Sequence, residues 1–169
     1  AYSLSTNSEI YLYNTSTGVT SNLTEGMMGY DRKPRFSPDG KLIAWESMER
    51  DGYEADKIRL FVADLQTGEK KNYSSNFDQN AENLCWAADG KSIYFISGYE
   101  ATEQIYRLDL NDQSISHLTD GIHNITSVDK AGDKLVATLV SMSQPAELYL
   151  VDPATGHHEP LTTVTKGIM

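Results

Sequence analysis

Little in this sequence points to chemistry of its own, and each shortage excludes something. Cys85 is the only cysteine. No disulfide can form within the chain, and cysteine carries no compartment signal. Beside Trp86, in a repeated position, it reads as a buried and inert thiol. No apolar run approaches the roughly 20 residues a membrane span needs. The opening AYSLSTNSE has neither a basic start nor an apolar core, so no signal peptide is expected, although a mature secreted protein reads the same way. Lys and Arg total 14 against 24 Asp and Glu, a net charge of −10. The cations are scattered, in no run longer than the pairs Arg32-Lys33 and Lys70-Lys71, which disfavours nucleic acid or an anionic membrane as partner.

Catalytic signatures are missing too. There is no Gly-x-Ser-x-Gly nucleophile elbow. There is no Gly-x-Gly-x-x-Gly and no Cys-x-x-Cys, and Gly90-Lys91-Ser92 has Cys85 where a phosphate-cradling loop needs its first Gly. His157-His158-Glu159 lacks the i, i+4 spacing of a helical metal pair and follows a Thr-Gly turn, so an exposed turn is its expected place. His117 and His123 stand alone in strand or loop positions, with structural roles expected. Neither a catalytic residue, nor a metal site, nor a cofactor is therefore predicted. Four Asn-x-Ser/Thr triplets occur, at Asn14, Asn22, Asn72 and Asn124. Two lie in repeated positions, where turn chemistry explains them without glycosylation.

What is present is a repeat. The chain is 39% hydrophobic and 22% charged, which suits a folded domain or a piece of a larger one. The stretch Arg35 to Glu46, RFSPDGKLIAWE, reads as a β-hairpin with a Ser37-Pro38-Asp39-Gly40 turn. An apolar residue four before Gly, then an apolar run, returns at Trp86…Gly90 and Val128…Gly132. A second landmark is a strand ending in Asn or Asp, usually followed by Thr-Gly, then a short strand ending in Thr or Ser. It begins at Asn14, Asp64, Asp109 and Asp152, spaced by 50, 45 and 43 residues.

A period in the forties with four strands per unit predicts an all-β fold, a partial β-propeller of four-stranded antiparallel blades with WD40-like or TolB-like repeats. The near-continuous apolar runs LIAW, SIYFI and LVATLV suit sheets covered on both faces. The units are expected at 1–26 (a partial blade), 27–76, 77–121 and 122–169, one propeller fragment of about three and a half blades. Such a fragment cannot close a ring alone. Either it belongs to a larger protein, or two copies pair, and open blade faces favour self-association.

Tight turns should share one end of the blades and long loops the other, where binding usually lives. The longest loop, Ser47 to Lys57, carries Glu49, Arg50, Asp51, Tyr53, Glu54 and Asp56. Its carboxylates suit a peptide ammonium, and Arg50 suits a carboxylate. A solvated acidic loop is the plain alternative. The spacing Asp51, Glu54, Asp56 matches no EF-hand ligand pattern. The companion loop Glu25 to Asp31 places Met27, Met28 and Tyr30 on the same end, either against a partner domain or over the blade top.

The run Asp31 to Gly40, DRKPRFSPDG, resembles the repeat of TolB-type and peptidase propellers. Ser47 to Glu54 and Ser141 to Tyr149, followed by Leu161-Thr162, are similar to the last propeller blades of the prolyl oligopeptidase family of serine peptidases. Within it, bacterial dipeptidyl aminopeptidases and acylaminoacyl peptidases are the nearest likeness, over essentially the whole chain. The resemblance implies a propeller that gates and positions peptides for a C-terminal α/β-hydrolase domain in cis, which would carry the Ser-Asp-His triad outside this chain. It implies that acidic propeller residues hold the substrate amino terminus. Glu49, Arg50, Tyr53, Glu54 and Asp56 are the candidate substrate-binding residues. It also implies a periplasmic or secreted parent, with the cytoplasm as alternative. Two other readings stay open. One is a TolB-like module binding proteins of the cell envelope. The other is a propeller lyase, which the histidine distribution disfavours.

Overall fold

A computed structural model describes residues 7–53 and 55–164. Within them the fold is all-β. A two-stranded sheet of β1 (Tyr11–Tyr13) and β2 (Thr20–Asn22) comes first. Three four-stranded antiparallel sheets follow, each a meander in chain order. They are β3 (Asp31–Phe36) to β6 (Lys70–Asn72) by way of β4 (Leu42–Ser47) and β5 (Arg59–Asp64); β7 (Glu82–Trp86), β8 (Ser92–Tyr99), β9 (Thr102–Asp109) and β10 (Ile115–His117); and β11 (Asn124–Ala131), β12 (Lys134–Ser141), β13 (Gln144–Val151) and β14 (His158–Pro160).

The repeated residues do repeated backbone work. Asn14, Asp64, Asp109 and Asp152 each turn a carboxyl or amide oxygen back onto a following N–H, at 2.8–2.9 Å from residue i+2. These are Asx turns, which begin the hairpin to the outer strand. The Thr or Ser ending each landmark closes the other side. Thr24, Ser74, Thr119 and Thr162 accept, through the hydroxyl, the N–H of Ile10, Leu60, Ile105 and Leu148, at 2.8–3.0 Å. Each pair is 14 residues apart. The hydroxyl satisfies an N–H that the short outer strand stops too early to reach. All four glycosylation-like asparagines serve as such acceptors, Asn124 taking the N–H of Glu103 at 2.9 Å.

Alternate residues of a strand face opposite sides. In β4 and β8 both sides are covered, which explains their apolar runs. In β12 only Leu135, Ala137 and Leu139 are buried and the residues between them are half-buried, so LVATLV is not covered on both faces as expected from sequence. Ile43 and Trp45 pack toward Ile10, with Leu12, Leu23 and Met27 alongside. Ala44, with Leu60 and Val62, packs toward Leu84, Trp86, Ile93 and Phe95. Tyr94 and Ile96 join Ile125, Val128, Leu135 and Leu139. The sheets of β3–β6 and β7–β10 are thus each wedged between two neighbours, as in a propeller. Trp86 Nε1 donates to the Arg35 carbonyl at 2.9 Å and ties one sheet to the inner strand of the one before.

Cys85 is buried, and desolvation, with Asp129 adding to it, pushes its pKa up to about 11. The inert reading of this thiol stands. Asp31 is a different matter: it is 2% exposed. Its Oδ1 accepts from Trp45 Nε1 at 2.8 Å, while Oδ2 has no hydrogen-bond partner among the described residues. Burial raises its pKa above the ordinary carboxylate value, against the nearby Ser47 hydroxyl and then the Trp45 bond, which favour the ion. A raised folded-state pKa means the folded protein holds this proton longer than the unfolded chain. Stability at this site is therefore lost as pH rises from about 4 through the folded value. Asp31→Asn keeps the acceptor for Trp45 and removes the charge. Relative to wild type it is expected to gain stability between pH 4 and pH 8, by about 1 kcal/mol. Urea midpoints at the two pH values check this, and a relative loss on going to pH 8 contradicts it.

Candidate functional site

Antiparallel meanders place the second-to-third strand connections and the sheet-to-sheet connections at one end of the blades. The first kind is uneven. Between β4 and β5 the chain takes a long excursion, but between β8 and β9, and between β12 and β13, it turns in two residues. Glu100 and Ala101 take φ of 44° and 65° in that turn, the left-handed pair of a tight hairpin. Among the described residues a long second-to-third loop therefore exists in one blade only, a correction to the expectation from sequence.

That excursion is closed on itself. Asp56 accepts from Arg50 Nε at 2.9 Å, from Arg50 Nη2, and from the Arg50 backbone N–H at 2.8 Å. The guanidinium lies 4.0 Å from the Tyr53 ring centroid. Hydrogen bonding to Arg50 holds the Asp56 carboxyl below the usual carboxylate range, and Asp56 in turn raises Arg50. Arg50 and Asp56 thus use most of their binding capacity on each other. Glu49 points outward, its side chain 74% exposed and 3.5 Å from Arg59 Nη1. Tyr53 is half exposed. Glu54 lies outside the described residues. The structure brings Glu49, Arg50, Tyr53 and Asp56 into one loop, where Glu49, Arg50 and Tyr53 are exposed and Asp56 is covered.

The companion loop answers the choice left open by sequence. Met27 packs into the cluster of Ile10, Ile43 and Trp45, so it covers the blade. Met28 is exposed. Gly29 (φ +90°) approaches Met48 so closely that a Cβ would sit 2.8 Å from its carbonyl oxygen. The Met48 N–H donates to Tyr30 O at 2.8 Å, which anchors the base of the long loop.

Toward the inner strands lies a feature that sequence reasoning passed over. Glu46 is fully buried. It pairs with Arg32 Nε at 3.0 Å and Lys33 Nζ at 3.1 Å, and accepts the Asn83 N–H of the next sheet at 2.9 Å. Lys33 and Asn83 both have positive φ, 52° and 54°, where β3 and β7 shift register. One carboxylate thus holds two strained bulges together across a blade boundary. The signal was a single Glu inside the apolar run LIAWE, where a polar residue must find partners.

The histidines are less isolated than their sequence positions suggested. His117 Nδ1 is 3.3 Å from Asp120, and its ring lies 4.1 Å from that of Tyr99. His123 meets His158, with ring centroids 5.0 Å apart. Desolvation, and then His158, lower the His123 pKa below its ordinary value. His158 is half buried in β14 rather than in an exposed turn, though His157 is exposed.

Comparison with known proteins agrees with this architecture. A family model for the TolB beta propeller domain matches residues 3–167. Dipeptidyl-peptidase 5 of Porphyromonas gingivalis is 47% identical over 169 residues, all of this chain and 25% of that protein. The chain spans about a quarter of the length of such curated relatives. Among solved structures, an acylaminoacyl peptidase of Pyrococcus horikoshii superposes with a TM-score of 0.73 at 23% identity, over 95% of this chain and 23% of that one. TolB of Acinetobacter baumannii superposes with a TM-score of 0.70 at 20% identity, over 92% of this chain and 38% of that one. At those identities the two structures speak to fold alone. Repeat, strand order and family match converge, and the chain belongs to the TolB beta propeller domain family.

Proposed function

We propose that this chain is the non-catalytic propeller portion of a serine exopeptidase of dipeptidyl or acylaminoacyl type. It admits extended peptides and orients their amino termini for a hydrolase domain carried elsewhere in the parent protein. The observation that carries this reading is 47% identity along the entire chain to a protein named dipeptidyl-peptidase 5. The physical contribution is exclusion and orientation, which lower the entropic cost of bringing the peptide to its nucleophile. Of the two candidate carboxylates among the described residues, Asp56 is taken by Arg50, and Glu49, 74% exposed while paired with Arg59 at 3.5 Å, is the more accessible to a substrate ammonium. The compartment this reading favours is the periplasm or the exterior.

Two measurements test it. The isolated chain is expected to turn over no dipeptidyl or aminoacyl chromogenic substrate, because it carries no nucleophile elbow. In the full-length parent, Glu49→Gln is expected to raise KM for free-amino-terminal peptides about tenfold with kcat within twofold, the signature of lost uniform binding. Turnover by the purified chain, or an unchanged KM, would count against the proposal. A second reading, a TolB-like module that binds proteins of the cell envelope, draws on the family match and the TolB superposition. It expects no peptidase activity in the parent at all.

A further inference from the structure

We propose that His123 and His158 together form a binding site for a divalent transition-metal ion such as Zn²⁺ or Ni²⁺. The two side chains are 35 residues apart in sequence. His123 lies in the connection before β11, and His158 opens β14, the outermost strand of the same sheet. Their ring centroids are 5.0 Å apart with the planes at 71°. Two imidazoles on one tetrahedral ion, with metal–nitrogen bonds of about 2.0–2.1 Å, place their centroids roughly 5 Å apart. The observed separation matches that spacing, which edge-to-face ring packing shares.

Three further observations point the same way. His123 Nε2 is buried and has no hydrogen-bond partner among the described residues. A buried ring nitrogen without a partner calls for an explanation, and a ligand supplies one. The ring sits on Gly121, where an added Cβ would lie 2.5 Å from Cε1 and Nδ1 and 3.6 Å from Nε2, the farthest of the three. Both histidines also line a cavity of about 230 Å³, together with Ser141, Gln144 and Tyr149. That is room for an ion with its waters. The loop side is held rigid, because Gln104 Nε2 donates to the Gly121 and His123 carbonyls at 3.1 and 3.0 Å. The strand side is held by the pairing of His158 with Val151.

The donor set selects the ion. Imidazole nitrogens suit Zn²⁺, Ni²⁺ and Cu²⁺, whereas Ca²⁺ and Mg²⁺ want oxygen. Among the described residues no third His, Cys, Asp or Glu completes a cluster. Water would fill the remaining positions. Bound there, the ion ties the entry to the last sheet onto its outermost strand.

Calorimetric titration of the 169-residue chain with Zn²⁺ and with Ni²⁺ tests this. One ion per chain is expected, and Zn²⁺ should move the ring nitrogen resonances of His123 and His158 but not those of His117. His123→Ala and His158→Ala should each weaken binding about 30-fold or more, while His157→Ala leaves it unchanged. If either alanine variant fails to fold, the ring resonances of the unmutated protein decide the matter. No saturable binding below about 1 mM, binding lost through His157→Ala, or Zn²⁺-induced shifts confined to His117 or His157 would overturn the proposal.

Discussion

Gly156→Ala is expected to lower the thermal midpoint by about 6–12 °C, while Gly68→Ala at the matching turn lowers it by only about 2–4 °C. Both glycines follow Thr in the same Asp-x-x-Thr-Gly turn, and both have positive φ, 73° and 76°. Each donates its N–H to the Asp carbonyl four residues back at 2.8 Å. An alanine in this conformation costs about 1 kcal/mol at either site. The sites differ in what a Cβ would meet. At Gly68 there is nothing within 4 Å. At Gly156 a Cβ would fall inside the Leu118 carbonyl, with the carbonyl carbon 2.9 Å away. Leu118 follows β10 of the neighbouring sheet and is itself bonded to the Ile105 carbonyl. Neither backbone can swing aside, so the sheets must separate, for a total of about 3 kcal/mol. Each kcal/mol moves the midpoint by roughly 2–4 °C in a domain of this size. Melts of the two variants side by side measure the difference, and equal shifts would refute the packing argument.

Gln104→Glu should be nearly as damaging, and its effect should depend on pH. Gln104 is fully buried. Its Nε2 donates to the carbonyls of Gly121 and His123 and to Thr102 Oγ1, at 3.0–3.1 Å, and its Oε1 accepts from the Thr119 hydroxyl at 2.8 Å. A carboxylate of the same shape would face two carbonyl oxygens with no donor between them. The penalty at pH 8 is expected to be about 3 kcal/mol. Protonation relieves part of it, because a carboxyl proton can donate to one carbonyl. The sign follows from linkage. The buried Glu would have a folded-state pKa above its unfolded value of about 4.3, so the folded state binds more protons within that window. The variant's deficit relative to wild type is then small near pH 4 and grows as pH rises through the folded pKa. Denaturant midpoints of variant and wild type at pH 4, 6 and 8 measure it. A deficit independent of pH would show that the loop carbonyls are not what Gln104 serves.

Much of the fold was legible in the chain because the repeat is written in local chemistry. Asn or Asp closes an Asx turn with its own following N–H groups, and Thr or Ser closes the strand 14 residues before it. Both effects are short-range, so residue type and spacing disclose them. The apolar runs of β4 and β8 betray sheets covered twice, while the equally apolar run of β12 has one face half-buried. The site was less legible. The acidic loop was visible as composition, but only folding showed Asp56 consumed by Arg50, leaving Glu49 and Tyr53 outward. Glu46 drew no notice inside LIAWE, although a carboxylate in such a run must find cations.

From the linear order of residues alone come the strands, the turns between them, the period in the forties and the absence of a nucleophile elbow. Each depends on contacts within one repeat. Only the packed molecule decides that three identical Thr-Gly turns are unequal, that Glu46 spans two blades, and that His123 meets His158. Those facts depend on backbones and rings brought together from different repeats, and no spacing within a repeat encodes a distance between neighbours.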